Sequence, residues 1–354
     1  MMRQNKRDDF DFNIKIHLFN FKNGVLNLKN KQFGEHKKEF FQTIQFNYDY
    51  DDKALFPSWL KFIADLQLEQ SAIDRLQEWA GDCLFPVVKI QKCLFIKGEG
   101  ANGKSVFLET LAAMLGNVSH LEISEMLEKH KVGELEGKLA NICTDIETSK
   151  IINSRFKKIV SGETVTAEPK YIRPYEFHPF AKILFSANDY MPTKDRSHGF
   201  FRRFDIIEFS RTFTEKEQTP NLLKELEAEL PGIFNWALAG LMRLERNGWE
   251  LTFSQSFQNC HEELKQALNP VKQFIDEFTG KPDNLPGIET SIFREKYKTW
   301  CEINGYKPSN DANLGKEIKR LGYKKIRLTQ KNGKRPHAYE GLFIKYDESH
   351  SWKF

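Results

Sequence analysis

Apolar residues recur along this chain with two distinct periods. Between 56 and 85, Trp59, Leu60, Phe62, Ile63, Leu66, Ile73, Leu76 and Trp79 fall at helical spacing. They predict two helices leading into Gly81 and Pro86. Residues 14–50 predict short strands with turns instead: Ile14 to Phe19 alternates, and Asn23 with Gly24 precedes the run to Leu28 as a hairpin signal. From 86 to 215, short apolar runs at 90–97, 139–144, 181–187 and 204–209 alternate with helical patterns at 104–115, 121–129 and 152–160. Buried strands alternating with helices predict an α/β sheet covered on both faces. A helical pattern with one apolar face then runs from Leu222 to Leu244. Beyond Asn269 and Pro270, helical segments at 271–278, 292–300 and 313–321 precede strand-like runs at 325–329 and 338–344, joined by a turn at 331–334.

These patterns divide the chain into an N-terminal α/β lead-in (1–85), an α/β core (86–215), a helical extension (216–268) and a C-terminal domain (269–354). The last has three helices and a hairpin, the outline of a winged helix. A length of 354 residues exceeds one ordinary domain. With 13% aromatic and 29% charged residues, including 30 Phe, the composition is that of a soluble globular protein. Net charge is only +4, so a nucleic-acid surface would have to be local. One such surface is visible, because nine Lys or Arg face one acid between Lys316 and Arg335. Lys316, Lys319, Arg320, Lys324, Lys325, Lys331, Lys334 and Arg335 are candidate DNA contacts there. The five cysteines, Cys83, Cys93, Cys143, Cys260 and Cys301, form no metal-spaced pair and are expected as core thiols in a reducing compartment. There is no apolar signal core and no long apolar run, so a cytoplasmic protein without a membrane partner is expected.

The most specific chemistry is the segment GEGANGKS at 98–105, which has the GxxxxGK[ST] spacing. It follows a predicted strand and opens a predicted helix, the context a phosphate-binding loop requires. Gly98, Gly100, Ala101, Asn102, Gly103, Lys104, Ser105 and Val106 are therefore candidate nucleotide contacts. Lys104 would reach the β- and γ-phosphates, and Ser105 would hold Mg²⁺. Such a loop needs an acid at the end of a buried strand. The run from Leu139 ends on Asp145, with Glu147 two residues on, so one orients the metal and the other the attacking water, in roles that could be exchanged. The strand from Ala181 ends on Asn188, an amide able to hold the γ-phosphate or the lytic water. Arg202 and Arg203 stand immediately before the apolar strand at 204–209, placed for phosphate of an adjacent subunit. Residues 161–177 predict a hairpin with Lys170, Tyr171 and Arg173 near its projecting part, suited to single-stranded DNA.

This order of motifs resembles the superfamily 3 helicases of phage and plasmid replication proteins. The closest type is similar to the C-terminal helicase part of phage/plasmid primases and the poxvirus-D5-like group. Three further segments fit: FKNGVLNL at 21–28 with His36 downstream, ELEGK at 134–138, and LPGIFNW at 230–236. The resemblance implies an AAA+-like P-loop core in a hexameric ring that hydrolyses ATP with Mg²⁺ at subunit interfaces. Such a ring translocates on single-stranded or forked DNA, usually 3′ to 5′. It places Lys104 and Ser105 as the Walker A pair, Asp145 as the Walker B acid and Asn188 as sensor 1. Lys170 becomes the channel-hairpin lysine and Arg203 the arginine finger, with Arg202 close behind. One departure is that Thr144 and Asp145 stand where the group commonly has Ser-Glu. The lead-in is too short for a primase domain, so a stand-alone helicase of a phage, plasmid or mobile genomic island is expected, served by a separate primase or initiator. Two alternatives are an origin-binding AAA+ initiator without processive unwinding and a nucleotide-gated DNA-binding scaffold.

Overall fold

The computed structural model describes residues 15–144, 154–190, 198–280, 287–304, 306, 308–328 and 335–344. The chain divides into two compact units, Met1–Glu262 and Glu263–Phe354, and is a mixed α/β protein.

The first unit begins with strands β1 (Leu18–Phe21), β2 (Gly24–Asn27) and β3 (Gln32–Gly34), then helices α1 (Pro57–Asp65) and α2 (Gln70–Cys83). Next come β4 (Cys93–Lys97), α3 (Lys104–Leu115), β5 (Val118–Ser119), α4 (Ile123–Met126) and β6 (Ala140–Cys143). They are followed by α5 (Ser154–Val160), β7 (Val165–Ala167), β8 (Tyr175–Phe177), β9 (Lys182–Ala187), α6 (His198–Phe201) and β10 (Phe204–Glu208). Helices α7 (Leu222–Ala228), α8 (Leu230–Arg246) and α9 (Gln255–Ala267) close the series, and the boundary between the units falls within α9. Five strands form one parallel sheet in the order β10-β4-β9-β6-β5. Its inner strands are buried almost throughout, which is why they read as unbroken apolar runs.

The lead-in shares the core of the sheet region. Phe19, Phe21, Phe46, Tyr48 and Tyr50 gather around Phe234 of α8, and the Phe21 and Phe234 rings meet edge-on at 4.8 Å. Tyr48 donates to the Met114 carbonyl of α3 at 2.9 Å. On α1, Trp59 stacks on Phe107 of α3 at 5.7 Å and sits edge-on to Trp236 at 5.2 Å. The otherwise uncapped N–H groups of Ser58 and Trp59 donate to the Glu229 carboxylate at 3.0 and 2.9 Å. The segments expected at 1–85, 86–215 and 216–268 thus contribute to one hydrophobic cluster.

Three expectations from periodicity change. Gly81 lies inside α2 and does not end it. A Cβ there would meet Leu241 N at 2.2 Å, and one on Gly240 would meet Gln77 O at 2.0 Å, so α2 and α8 pack backbone to backbone. The single helix expected from Leu222 to Leu244 is two, because Glu229 leaves helical geometry (φ −99°, ψ 8°) and Pro231 stands in the first turn of α8. The helix expected at 121–129 is the single turn α4, started by a capping box between Glu122 and Glu125.

Asp82 of α2 is fully buried, and neither carboxylate oxygen has a hydrogen-bond partner among the described residues. Burial pushes its carboxyl up to about 6, with the Lys182 ammonium opposing the shift. A raised folded-state value contributes stability that is complete below the ordinary carboxylate range and is lost as pH rises through about 6. Asp82→Asn should therefore flatten the dependence of the unfolding midpoint on pH between 3.8 and about 6. Parallel curves for the two proteins across that window would refute this.

The second unit contains α10 (Pro270–Phe278), β11 (Thr279–Gly280), β12 (Ile288–Glu289), α11 (Thr290–Ile303) and α12 (Asp311–Arg320). Strands β13 (Lys325–Arg327), β14 (His337–Tyr339) and β15 (Phe343–Ile344) follow. Asn269 and Asn310 cap α10 and α12 through their side chains, and Pro270 fills the first turn of α10. β13 and β14 pair as an antiparallel hairpin, and β12, absent from the periodicity reading, pairs with β14. Phe274, Phe293, Tyr297, Trp300, Leu314 and Ile318 are among the residues of its own core.

Candidate functional site

The glycine loop leaves β4 at the C-terminal edge of the parallel sheet and runs into α3 without a break. Gly103 takes a left-handed conformation (φ 84°), which a β-carbon would strain, and no side chain caps the N-terminus of α3. A Cβ on Gly98 would lie 2.4 Å from Phe209 O, whereas around Gly100 there is open space. The loop is braced from outside by the Phe213 N–H, which donates to Ala101 O at 2.7 Å, and by Asn102, which donates to Glu99 O and to Phe209 O at 3.2 Å.

Lys104 is buried, and its Nζ is ringed by oxygens. It donates to Gly98 O at 2.5 Å, to Asn102 Oδ1 and Asn188 Oδ1 at 3.2 Å each, and to Glu99 O at 3.3 Å. Asn188 arrives there because β9 lies beside β4, with Ala187 opposite Lys97, so both chains leave the sheet at the same edge. Lys104 and Asn188, 84 positions apart, thus meet. The cavity above them measures about 600 Å³ and is lined by Gly100, Ala101, Asn102, Gly103, Lys104, Ser105, Val106 and Asn188. Its volume suits a nucleotide-sized ligand. The helix start favours an anion at the loop end.

The far wall of this cavity was not singled out from the sequence. Ser58, Lys61, Phe62 and Asp65 of α1 face it, with Phe213, Glu217, Gln218, Thr219, Leu222 and Glu225. The polar face of α1 was visible as helical spacing, but spacing does not tell which cavity a polar face lines. Arg211 holds this wall together. It donates to Asp65 O, pairs with Glu217 at 2.8 Å and stacks over Phe213 at 4.6 Å. Glu217 also accepts from Thr214 N and Oγ1, which keeps its carboxyl below the usual carboxylate range.

The strand β6 that leads toward Asp145 ends at Cys143; Asp145 and Glu147 lie outside the described residues. Arg202 and Arg203 precede β10, whose first residue, Phe204, is level with Cys93 at the start of β4. They stand at the opposite end of the sheet from the glycine loop, about 17 Å along the strand at the usual rise per residue. Arg202 is exposed and Arg203 is 8% exposed. The Arg203 guanidinium donates to Ser161 Oγ at 3.0 and 3.3 Å and to Gly199 O.

β7 and β8 form the antiparallel hairpin expected at 161–177. Its tip exposes Lys170, Tyr171, Ile172 and Arg173, and Tyr171 has a left-handed backbone (φ 66°). In the second unit, Lys316, Lys319, Arg320, Lys324, Lys325 and Arg335 are exposed, Arg320 being paired with Glu317 at 2.8 Å. Lys331 and Lys334 lie outside the described residues.

Two family models match parts of the chain. Residues 1–68 match the family described as D5 N terminal like, and residues 96–203 match a family of unknown function, DUF5906. The second match begins just before Gly98 and ends on Arg203, so it takes in the loop, Asn188 and the arginine pair. The chain is 27% identical over 321 residues to "Putative helicase L207/L206" of Acanthamoeba polyphaga mimivirus, covering 81% of this chain and 33% of that protein. It therefore spans about a third of the length of that curated relative. Among solved structures, the apo A form of the NrS-1 C-terminal region aligns with a TM-score of 0.50 and 12% identity, over 85% of this chain and 81% of that one. At that identity the likeness is one of fold.

Proposed function

We propose that this chain hydrolyses ATP in the glycine-loop cavity and uses the cycle to move on DNA, as a ring-forming, AAA+-like helicase of a replicating mobile element. The observation that carries this reading is the meeting of Lys104 and Asn188 at the foot of a nucleotide-sized cavity. Lys104 would exchange its carbonyl and amide partners for β- and γ-phosphate oxygens, and Asn188 would then orient the attacking water. The sheet order β10-β4-β9-β6-β5 supports the AAA+-like assignment, since it sets the sensor strand between the loop strand and the acid strand. The D5-like segment and the mimivirus relative support a replication protein of the helicase kind.

Among the described residues no group of His, Cys, Asp and Glu is arranged to hold a metal. Asp145 and Glu147 lie outside those residues, and Mg²⁺ binds through few protein ligands and the substrate phosphates. Ser105, which lines the cavity, and Asp145 would hold it, and it would neutralise phosphate charge when bound. Glu147 is the companion acid for the water. Lys170, Tyr171 and Arg173 would meet single-stranded DNA, and the basic face of the second unit, read as a winged helix, would meet duplex.

Arg202, not Arg203, is the arginine free to reach an adjacent subunit's phosphate, because it is the exposed one. Mixing Lys104→Ala with Arg202→Ala tests this. Each variant alone should lack turnover, and mixtures should regain part of it where an intact loop faces an intact arginine. No recovery at any ratio would remove the trans assignment. A second reading, an origin-binding initiator, draws on the separate unit that carries the basic residues. Duplex binding with poor unwinding of a forked substrate would favour it.

A further inference from the structure

We propose that Arg203 is a positioning residue that couples the turn carrying Arg202, at the start of β10, to the hairpin carrying Lys170, Tyr171 and Arg173. This rests on the reading of the chain as a DNA-stimulated ATPase.

Arg202 and Arg203 are adjacent but have opposite surroundings. Arg202 is exposed, whereas Arg203 is 8% exposed and its planar fork is engaged on three sides. To meet a phosphate, Arg203 would have to give up all of these acceptors. Its partner Ser161 is the residue that follows α5, directly before Gly162 turns the chain into β7 with a left-handed φ of 67°. The guanidinium therefore holds the root of the hairpin.

Other contacts make α5 and the hairpin one body. Arg155 donates to Thr166 O at 2.5 Å, and Glu163 N donates to Lys158 O at 2.9 Å. A second contact joins that body to the arginine strand: Phe156 of α5 stacks on Phe204 at 5.9 Å and 17°. The outer leg is steadied by Glu168, which pairs with Lys129 at 2.5 Å and whose N–H donates to Lys129 O at 2.8 Å. The tip residues Lys170, Tyr171, Ile172 and Arg173 are exposed. A shift at the start of β10, made when Arg202 gains or loses phosphate across an interface, is thus carried through Arg203 and Phe204 to the hairpin root. Because packed interiors do not deform continuously, the tip follows.

The test compares phosphate release by the full chain with and without a single-stranded oligonucleotide. Ser161→Ala should keep basal turnover and oligonucleotide affinity within about twofold of wild type, while the DNA-stimulated to basal ratio falls about fivefold or more. Ser161→Thr, which retains the hydroxyl, should restore the ratio. Arg203→Lys, which retains charge but loses the fork, should lower it as Ser161→Ala does, and it serves if the alanine variant fails to fold. Undiminished stimulation in Ser161→Ala or in Arg203→Lys would overturn the coupling and leave the functional reading standing. A wild-type protein that hydrolyses ATP with no response to DNA would overturn both.

Discussion

Lys104→Ala will lower phosphate release from ATP by about a thousandfold, with the fold intact. The size of the effect follows from the position of this ammonium. It is buried at the first residue of α3, held by two loop carbonyls and two amide oxygens, at the floor of the cavity. On the proposed reading a neutral methyl there would remove the charge that opposes the phosphates, and no other described cation lines the loop side of the cavity. Lys61 lies on the far wall, on α1. Fold integrity is checked by the unfolding midpoint, because the lost hydrogen bonds go to loop atoms and not to the core. Turnover within twofold of wild type would remove the catalytic assignment.

Asp205→Ala will destabilise the first unit by about 3–5 kcal/mol, since it strips the partner from a buried guanidinium. Asp205 is fully buried on β10 and accepts from Arg75 Nε and Nη2 at 2.6 to 2.9 Å and from Trp79 Nε1 at 2.5 Å. Arg75 also donates to Thr252 O at 2.5 Å, and neighbouring Glu78 accepts from Thr252 N at 2.8 Å and Oγ1 at 2.5 Å. One face of α2 therefore pins both the arginine strand and the segment after α8. At about 2–4 °C per kcal/mol, the midpoint should fall by roughly 10 °C. Breaking the exposed pair Lys272–Asp276 should leave it in place. An Asp205→Ala protein that melts with wild type would contradict the account.

Where information is local in the chain, the sequence was a good guide. The helix expected at 104–115 is α3 to the residue, because the glycines before it and Gly116 after it set both ends. The strand expected at 181–187 is β9 from Lys182, and the hairpin at 161–177 is present. Gly81 misled because a glycine read alone signals an end, whereas here it admits the backbone of α8. Leu222 to Leu244 misled because the apolar stripe continues across Glu229 although the helix does not. The sequence leaves open which of the two arginines faces outward. Both lie in the turn between α6 and β10, and only the contacts of Arg203 with Ser161 and Gly199 show which side chain is turned inward.

The sequence alone determined the glycine loop with the strand before it and the helix after it, and it named the amide, acids and arginines that are candidates for the site. Each of these is written in a short window of residue types and spacings. The tertiary structure alone decided that Asn188 touches Lys104, that α1 and residues 213–225 wall the cavity, and that Arg203 faces inward while Arg202 faces out. Those facts depend on which strands lie side by side and which helix covers the loop. Burial of apolar surface selects that arrangement over the whole unit at once, and no single segment contains it.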